Sequence, residues 1–175
     1  MGLFSSVVVL LLVAGAAGYA LLEKRPGYGG YYGLAKLTGA RLDIDPVDWA
    51  TLTRHATPND ALACPAAFCP HAKPDWEPKS YAMRPEDLLA RLTAIARAEP
   101  GTRKLGGAPA PARSARFIQH TRLMRFPDTI DVDVLPVGAG STLAIYSRSL
   151  IGRKDFGVNR ARVARWLKAL DAPTG

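Results

Sequence analysis

The most constraining stretch of this chain is residues 128–170, in which two β-prone runs, a tight turn and an amphipathic helix follow without interruption. In the first run apolar residues alternate with Asp131 and Asp133, and a Gly-rich turn at 138–141 leads into the second. This alternation predicts a β-hairpin. The helix that follows has apolar residues at i, i+3, i+4 and i+7, namely Val163, Trp166, Leu167 and Leu170. One face of this helix is therefore expected to pack on the sheet.

A second helix is predicted upstream, because Pro85 and the two acidic residues after it are typical of a first helical turn, and Pro100 ends the pattern. Strands are predicted over 102–105, 115–126, 129–134 and 142–149. The order helix, four strands, helix indicates an α+β domain over residues 81–171. We expect an antiparallel sheet of about four strands with two helices packed on one face.

The N-terminus favours a membrane anchor. Residues 3–22 carry no charge, and 20 helical residues span about 30 Å, the thickness of a bilayer core. A cleaved signal peptide is the alternative, with Ala14-Gly15-Ala16 as its cleavage site, but no Lys or Arg precedes the apolar run. We therefore predict a transmembrane anchor over residues 1–24.

Residues 25–80 are rich in Gly, Tyr and Pro, which predicts an extended tether and an arm wrapped on the domain. Its two cysteines, Cys64 and Cys69, allow three interpretations: a disulfide, a redox or metal site with His71, or two reduced thiols. Zinc sites usually need four ligands, and only three candidates lie together here. A disulfide would stabilise the arm by about 2 kcal/mol and is favoured in an oxidising compartment.

Few residues suggest catalysis. Asp131 and Asp133 project from one side of a strand, as paired acid and base groups would, but alternating Asp also marks the solvent face of a sheet, with Arg148 near enough to be a partner. His120 lies among arginines, with no nucleophile placed beside it. No catalytic residues, metal ligands or cofactor are therefore predicted, and the protein is expected not to be an enzyme.

The run 147–167, SRSLIGRKDFGVNRARVARWL, is the most specific feature of the sequence. Asp155 or Asn159 can cap the helix by accepting its free N–H groups. The net charge of +8 favours acidic partners, and nucleic acid is not expected among them. The candidate residues for a partner or anion are Arg148, Arg153, Lys154, Arg160, Arg162, Arg165 and Lys168. The alternative is an ordinary strand-to-helix turn with a solvated basic face.

Two segments carry a resemblance to a known family. TPNDALACPAAFC and DVDVLPVGAGSTLAIYSRSLIGRKDFGVNRARVARWL resemble the domain-of-unknown-function 1499 family, over most of residues 45–170. IYSRS and GRKDFGVNRARV are the most specific parts, and the CP…C segment resembles the membrane-anchored bacterial branch. The resemblance implies an extracytoplasmic domain, whereas Lys24 and Arg25 after the apolar run favour the cytoplasmic face. It implies no catalytic residues.

These observations predict a single-pass protein of the bacterial inner membrane with a periplasmic domain, the cytoplasmic face being the alternative. Its expected role is that of an accessory subunit or assembly factor, whose partner is an integral membrane protein complex, anionic lipid or both. The alternative is a module that binds lipid or a small apolar ligand, which requires a cavity of several hundred Å³ between sheet and helices. An enzyme would require Asp131, Asp133 and His120 to converge in one cleft.

Overall fold

The structure, a computed structural model, describes residues 45–54, 56–106, 113–121, 126–152 and 154–172. Five strands form one antiparallel sheet in the order β1-β5-β4-β3-β2. They are β1 (Asp60–Ala63), β2 (Thr102–Leu105), β3 (Ser114–His120), β4 (Pro127–Val137) and β5 (Gly140–Ser149). The two helices are α1 (Pro85–Ala98) and α2 (Val158–Asp171). The predicted α+β class is confirmed.

The sheet has five strands rather than about four. The additional strand, β1, is an edge strand that pairs antiparallel with β5, and it lies in the stretch that the sequence assigned to the wrapping arm. Its sequence, DALA, is short and contains residues that are depleted in strands, so local pattern gave no signal. Burial against the rest of the sheet outweighs this weak preference.

Both helices pack on the same face of the sheet. Strand side chains that point to the helices, including Phe117, Ile130 and Val132, form a core with the apolar stripe of α2. Trp166 of α2 is fully buried and meets the Phe117 ring edge-on, with the ring centroids 5.8 Å apart. Together, the helices and the sheet fill the space between them with apolar side chains.

The opposite face is covered by the chain that precedes and follows β1. Trp49 and Leu52 pack with Cys64 and Cys69 against side chains that point away from the helices, among them Tyr146. Cys64 and Cys69 form a disulfide, as predicted, and both are buried. The expectation that this face of the sheet is exposed to solvent is therefore wrong near the disulfide loop.

The hairpin of β4 and β5 is present, with its turn between Val137 and Gly140. No helix in the part of the chain that the structure describes is long and apolar enough to cross a membrane. The predicted membrane helix over residues 3–22 lies outside the described residues, as do most of the tether, His55 and Arg153.

Candidate functional site

The turn between β5 and α2 is held by one carboxylate. Asp155 accepts the backbone N–H of Gly157 at 2.9 Å and that of Asn159 at 2.8 Å. The bond to Asn159 satisfies an N–H group that the first turn of the helix leaves free, and the bond to Gly157 holds the N-cap residue. The N-cap residue is Gly157, and of the two residues predicted as caps, Asp155, two residues before it, accepts a bond from the first turn. Asn159 does not, because it lies inside the helix with its side chain buried.

Asn159 instead ties three elements together. Its Oδ1 accepts hydrogen bonds from Ser147 Oγ at 2.6 Å and from Arg162 Nη1 at 2.5 Å. Its Nδ2 donates to the carbonyl of Asn59 at 3.1 Å and to Ser149 Oγ at 3.0 Å. The side chain thereby joins α2 to β5 and to the residue that precedes β1. The serines of the SRS run point to the helix side, where this network needs them.

Arg162 is the centre of the same network and is only 1 % exposed. Its Nη2 lies 2.7 Å from Asp128 Oδ2, and its Nε donates to Gln119 Oε1 at 2.6 Å. The other carboxylate oxygen of Asp128 accepts a hydrogen bond from Ser149 Oγ at 2.7 Å. A buried charge is tolerated when it is paired and hydrogen-bonded in this way. Arg162, one of the predicted candidates for a partner or anion, is therefore not part of an exposed basic face.

A second buried arginine lies on the opposite face. Arg148 Nη2 donates to the carbonyl of Asp45 at 2.7 Å and lies 3.8 Å from Asp131 Oδ2. Arg116 Nε contacts the other Asp131 oxygen at 2.5 Å. Burial raises the pKa of Asp131, although both arginines oppose the shift. Arg148 is thus a partner of Asp131, as predicted, but its burial removes it from the candidates for an exposed anion site.

The remaining basic candidates lie at the surface, and two of them are already paired. Arg160 contacts Asp75 at 2.7 Å and lies over the Trp76 ring. Arg165 contacts Glu99 at 3.0 Å. The other two described candidates, Lys154 and Lys168, are exposed. Arg153 lies outside the described residues. The basic face is consequently smaller than the sequence suggests.

An open cleft of about 850 Å³ lies where the end of α1, the end of β3 and the start of α2 meet. Gln119 lines it and bridges Arg162 to Glu99, to which its Nε2 donates at 3.0 Å. Burial acts to raise the pKa of Glu99, but hydrogen bonds from Arg165 and Gln119 leave it below its ordinary value. Val158, which is 40 % exposed, supplies part of the apolar lining. The buried network thus reaches the surface at this cleft.

The three residues considered for catalysis do not meet. Asp131 and Asp133 line a narrow pocket beside Trp49, whereas His120 lines the cleft at the other end of β3. Burial raises the pKa of Asp133 as it does that of Asp131. Among the described residues, no group of three or more His, Cys, Asp and Glu side chains is arranged to hold a metal ion. Catalysis through this trio is therefore not supported by the geometry.

Sequence reasoning missed one exposed side chain. Phe156 is 95 % exposed and has a φ of 55°, in the left-handed region that few residues other than glycine adopt. It lies between the capping Asp155 and Gly157, so the turn presents it outward. The available signal was a single aromatic residue in a stretch without apolar periodicity.

The fold and this network define an α+β domain with a disulfide-linked loop on one face of its sheet and two helices on the other. Residues 50–170 match the family described as "Protein of unknown function (DUF1499)", and the chain belongs to this family. The match includes the disulfide, the buried network and the cleft. A disulfide is typical of proteins in an oxidising compartment outside the cytoplasm.

One solved structure with some similarity is that of CalU16 from Micromonospora echinospora. The two chains are 12 % identical, the TM-score is 0.36, and the similarity covers 55 % of this chain and 74 % of that chain. A similarity at this level supports no conclusion about function. Comparison with curated proteins gives no match.

Proposed function

We propose that this protein is a non-enzymatic accessory protein, a subunit or assembly factor of an integral membrane protein complex. Residues 3–22 anchor it in the bacterial inner membrane, and its domain lies in the periplasm. The uncharged N-terminal segment supports the anchor. The Cys64–Cys69 disulfide supports the periplasmic rather than the cytoplasmic face, because thiols in the cytoplasm are kept reduced.

The open cleft beside α2 is the observation that carries the docking role. Its position at the surface contrasts with the space between helices and sheet, where side chains such as Trp166 and Phe117 are fully buried in an apolar core. Val158 gives the cleft an exposed apolar contact, and the Glu99–Arg165 pair gives it a charged rim. An apolar centre with a polar rim is the usual anatomy of a protein interface.

A small ligand is the second candidate occupant. The cleft volume of about 850 Å³ falls within the range of ligand pockets, and the polar groups of Gln119 and Arg162 converge on it. A ligand with an apolar body and one hydrogen-bonding group would match this lining. The experiment therefore has to separate a protein partner from a bound small molecule.

The test compares Val158→Glu with Val137→Glu in the full-length protein, purified from its native membrane in mild detergent. Val137 is the matched control, because it is 45 % exposed and lies at the distant hairpin turn. We expect a co-eluting membrane protein, identified by mass spectrometry, to be kept by wild type and Val137→Glu and lost by Val158→Glu. A bound small molecule that shows this pattern in native mass spectra would favour the ligand. If Val158→Glu loses neither, the cleft is not the contact.

A further inference from the structure

Phe156 is presented outward by a turn that hydrogen bonds hold on both sides of it. Asp155 holds the turn from inside through its two backbone bonds, and Asn59 Nδ2 donates to the carbonyl of Gly152 at 2.9 Å. The left-handed backbone of a bulky residue is unfavourable and persists only where the surrounding contacts enforce it. These contacts enforce a conformation that gives the aromatic ring no partner within the described domain, since 95 % of the residue is exposed.

Exposed cationic side chains lie close to the ring in sequence. Lys154 and Arg160 are exposed on either side of it, and Arg160 pairs with Asp75 through one nitrogen while 60 % of its side chain stays exposed. The acidic residue next to Phe156 in sequence, Asp155, is engaged in hydrogen bonds to the backbone of the turn. An aromatic ring flanked by cationic side chains is the composition that enters the interface of an anionic bilayer.

The course of the chain places this turn near the point where the polypeptide enters the domain. The carbonyl of Asp45, the first described residue, accepts a bond from Arg148, one residue before the end of β5. The turn that carries Phe156 begins directly after that strand. Residues 25–44 link Asp45 to the predicted anchor, and 20 residues reach at most about 70 Å. With the anchor proposed above, a tether of this length raises the effective concentration of the domain at the membrane surface, which favours even a weak contact.

We propose that Phe156 and the cationic side chains beside it form a second, reversible contact with the anionic bilayer surface, with the ring inserted at the level of the headgroups. The inference rests on the membrane location proposed above. It assigns the turn to lipid and leaves the neighbouring cleft for the protein partner. A protein partner at Phe156 is the competing outcome.

The experiment uses the full-length chain reconstituted through its N-terminal segment into vesicles. Phe156→Trp is compared with Val137→Trp and with wild type, whose native tryptophans give the background. In vesicles of phosphatidylcholine and phosphatidylglycerol, we expect the fluorescence added at position 156 to shift to shorter wavelength and to be quenched by brominated lipid. The tryptophan at 137 should show neither change. Added salt should reduce the quenching at 156, because exposed charges are screened within about 8 Å at physiological ionic strength.

Three outcomes would overturn the proposal, and they differ in meaning. A chain that does not associate with vesicles at all removes the membrane location together with this inference. A chain that inserts, but whose tryptophan at 156 behaves like that at 137, removes the inference alone. The third uses Phe156 replaced by the photo-crosslinking residue benzoylphenylalanine in cells. Adducts with a protein rather than with lipid would assign the turn to a protein partner.

Discussion

Each face of the sheet buries arginine against aspartate, but the hydrogen bonds and ion pairs around the aspartate are more complete on one face than on the other. On the helix face, Arg162 lies 2.7 Å from Asp128, and serine, asparagine and glutamine side chains complete the bonds around the pair. On the opposite face, Arg148 is 3.8 Å from Asp131, which depends mainly on Arg116 at 2.5 Å. Burial raises the pKa of Asp131, so its charge is less well compensated.

The difference follows from what covers each face. A long helix brings a row of side chains to the sheet in fixed positions, so one residue such as Asn159 can hydrogen-bond several neighbours at once. The opposite face is covered by loop segments, which supply backbone groups such as the carbonyl of Asp45 and a few side chains such as Arg54, which pairs with Asp60. Since a loop has little regular structure of its own, the disulfide is an added restraint on this cover. The helix face is thus stabilised by one network centred on α2, and the opposite face by separate ion pairs, such as Arg54 with Asp60, together with a covalent link.

The largest expected effect separates Arg162 from Arg148. Arg162→Met should lower the free energy of unfolding by about 3 to 5 kcal/mol, because it leaves Asp128 buried without its charge partner. Arg148→Met should cost less, about 1 to 3 kcal/mol, because Asp131 keeps Arg116 and the main loss is the hydrogen bond to Asp45. Denaturant unfolding of both variants measures the difference. Equal losses would show that the two pairs are equivalent and that the comparison fails.

The elements with strong local signals could be predicted from sequence. Turn residues, alternation and helical periodicity identified the β4–β5 hairpin, α1 and α2, and the strand β2 has the predicted bounds of 102–105. The disulfide could be predicted because only two cysteines occur, five residues apart. In each case the residues that determine the structure lie close together in the chain.

The buried network could not be predicted, because its members meet only through the topology. Arg162 lies 34 residues from Asp128 in sequence, and pairing of β4 with β5 on one side of α2 brings them together. A helical arginine normally indicates a solvated face, although Arg162 and Asn159 share the buried stripe of α2 with Trp166. The cleft depends in the same way on distant segments, since the ends of α1 and β3 meet the start of α2.

The second effect concerns the face that has the covalent link. The double variant Cys64→Ala/Cys69→Ala should lose about 2 kcal/mol of unfolding free energy on the loop-entropy account, because the closed loop is short. The loss should be local. Amide hydrogen exchange should increase around Trp49 and Leu52, which pack with the cysteines, and stay unchanged in α2. Equal loosening of both faces would mean that the disulfide supports the whole domain rather than one side.

A smaller effect tests the cap that orients α2 on the first face. Asp155→Ala removes the acceptor for two backbone N–H groups and should cost about 0.5 to 2 kcal/mol. Lys154→Ala is the neighbouring control, because an exposed surface side chain usually changes stability by less than about 0.5 kcal/mol. The two are compared by thermal melting. If Asp155→Ala melts at the temperature of the control, the turn is held by its other contacts.

The last and smallest effect is a difference in pH dependence, which tests how well the charge of Asp131 is compensated. Its folded pKa is raised above the ordinary value of 3.8 by burial, so between the two values the folded protein binds more protons than the unfolded chain. The free energy of unfolding should then rise as pH falls from the folded pKa towards the ordinary value. Asp131→Asn removes this contribution, so wild type should gain stability relative to the variant across that window.

Asp171 is the control of opposite sign. A hydrogen bond from Lys79 lowers the pKa of Asp171, so its contribution is present above the ordinary value and is lost as pH falls through the folded pKa. Wild type should accordingly lose stability relative to Asp171→Asn on acidification, while it gains stability relative to Asp131→Asn. Denaturant unfolding of the three proteins at a series of pH values measures both differences, and general effects of acid cancel between them. If the two differences have the same sign, Arg116 and Arg148 compensate Asp131 fully, and the two faces of the sheet pair their buried charges equally well.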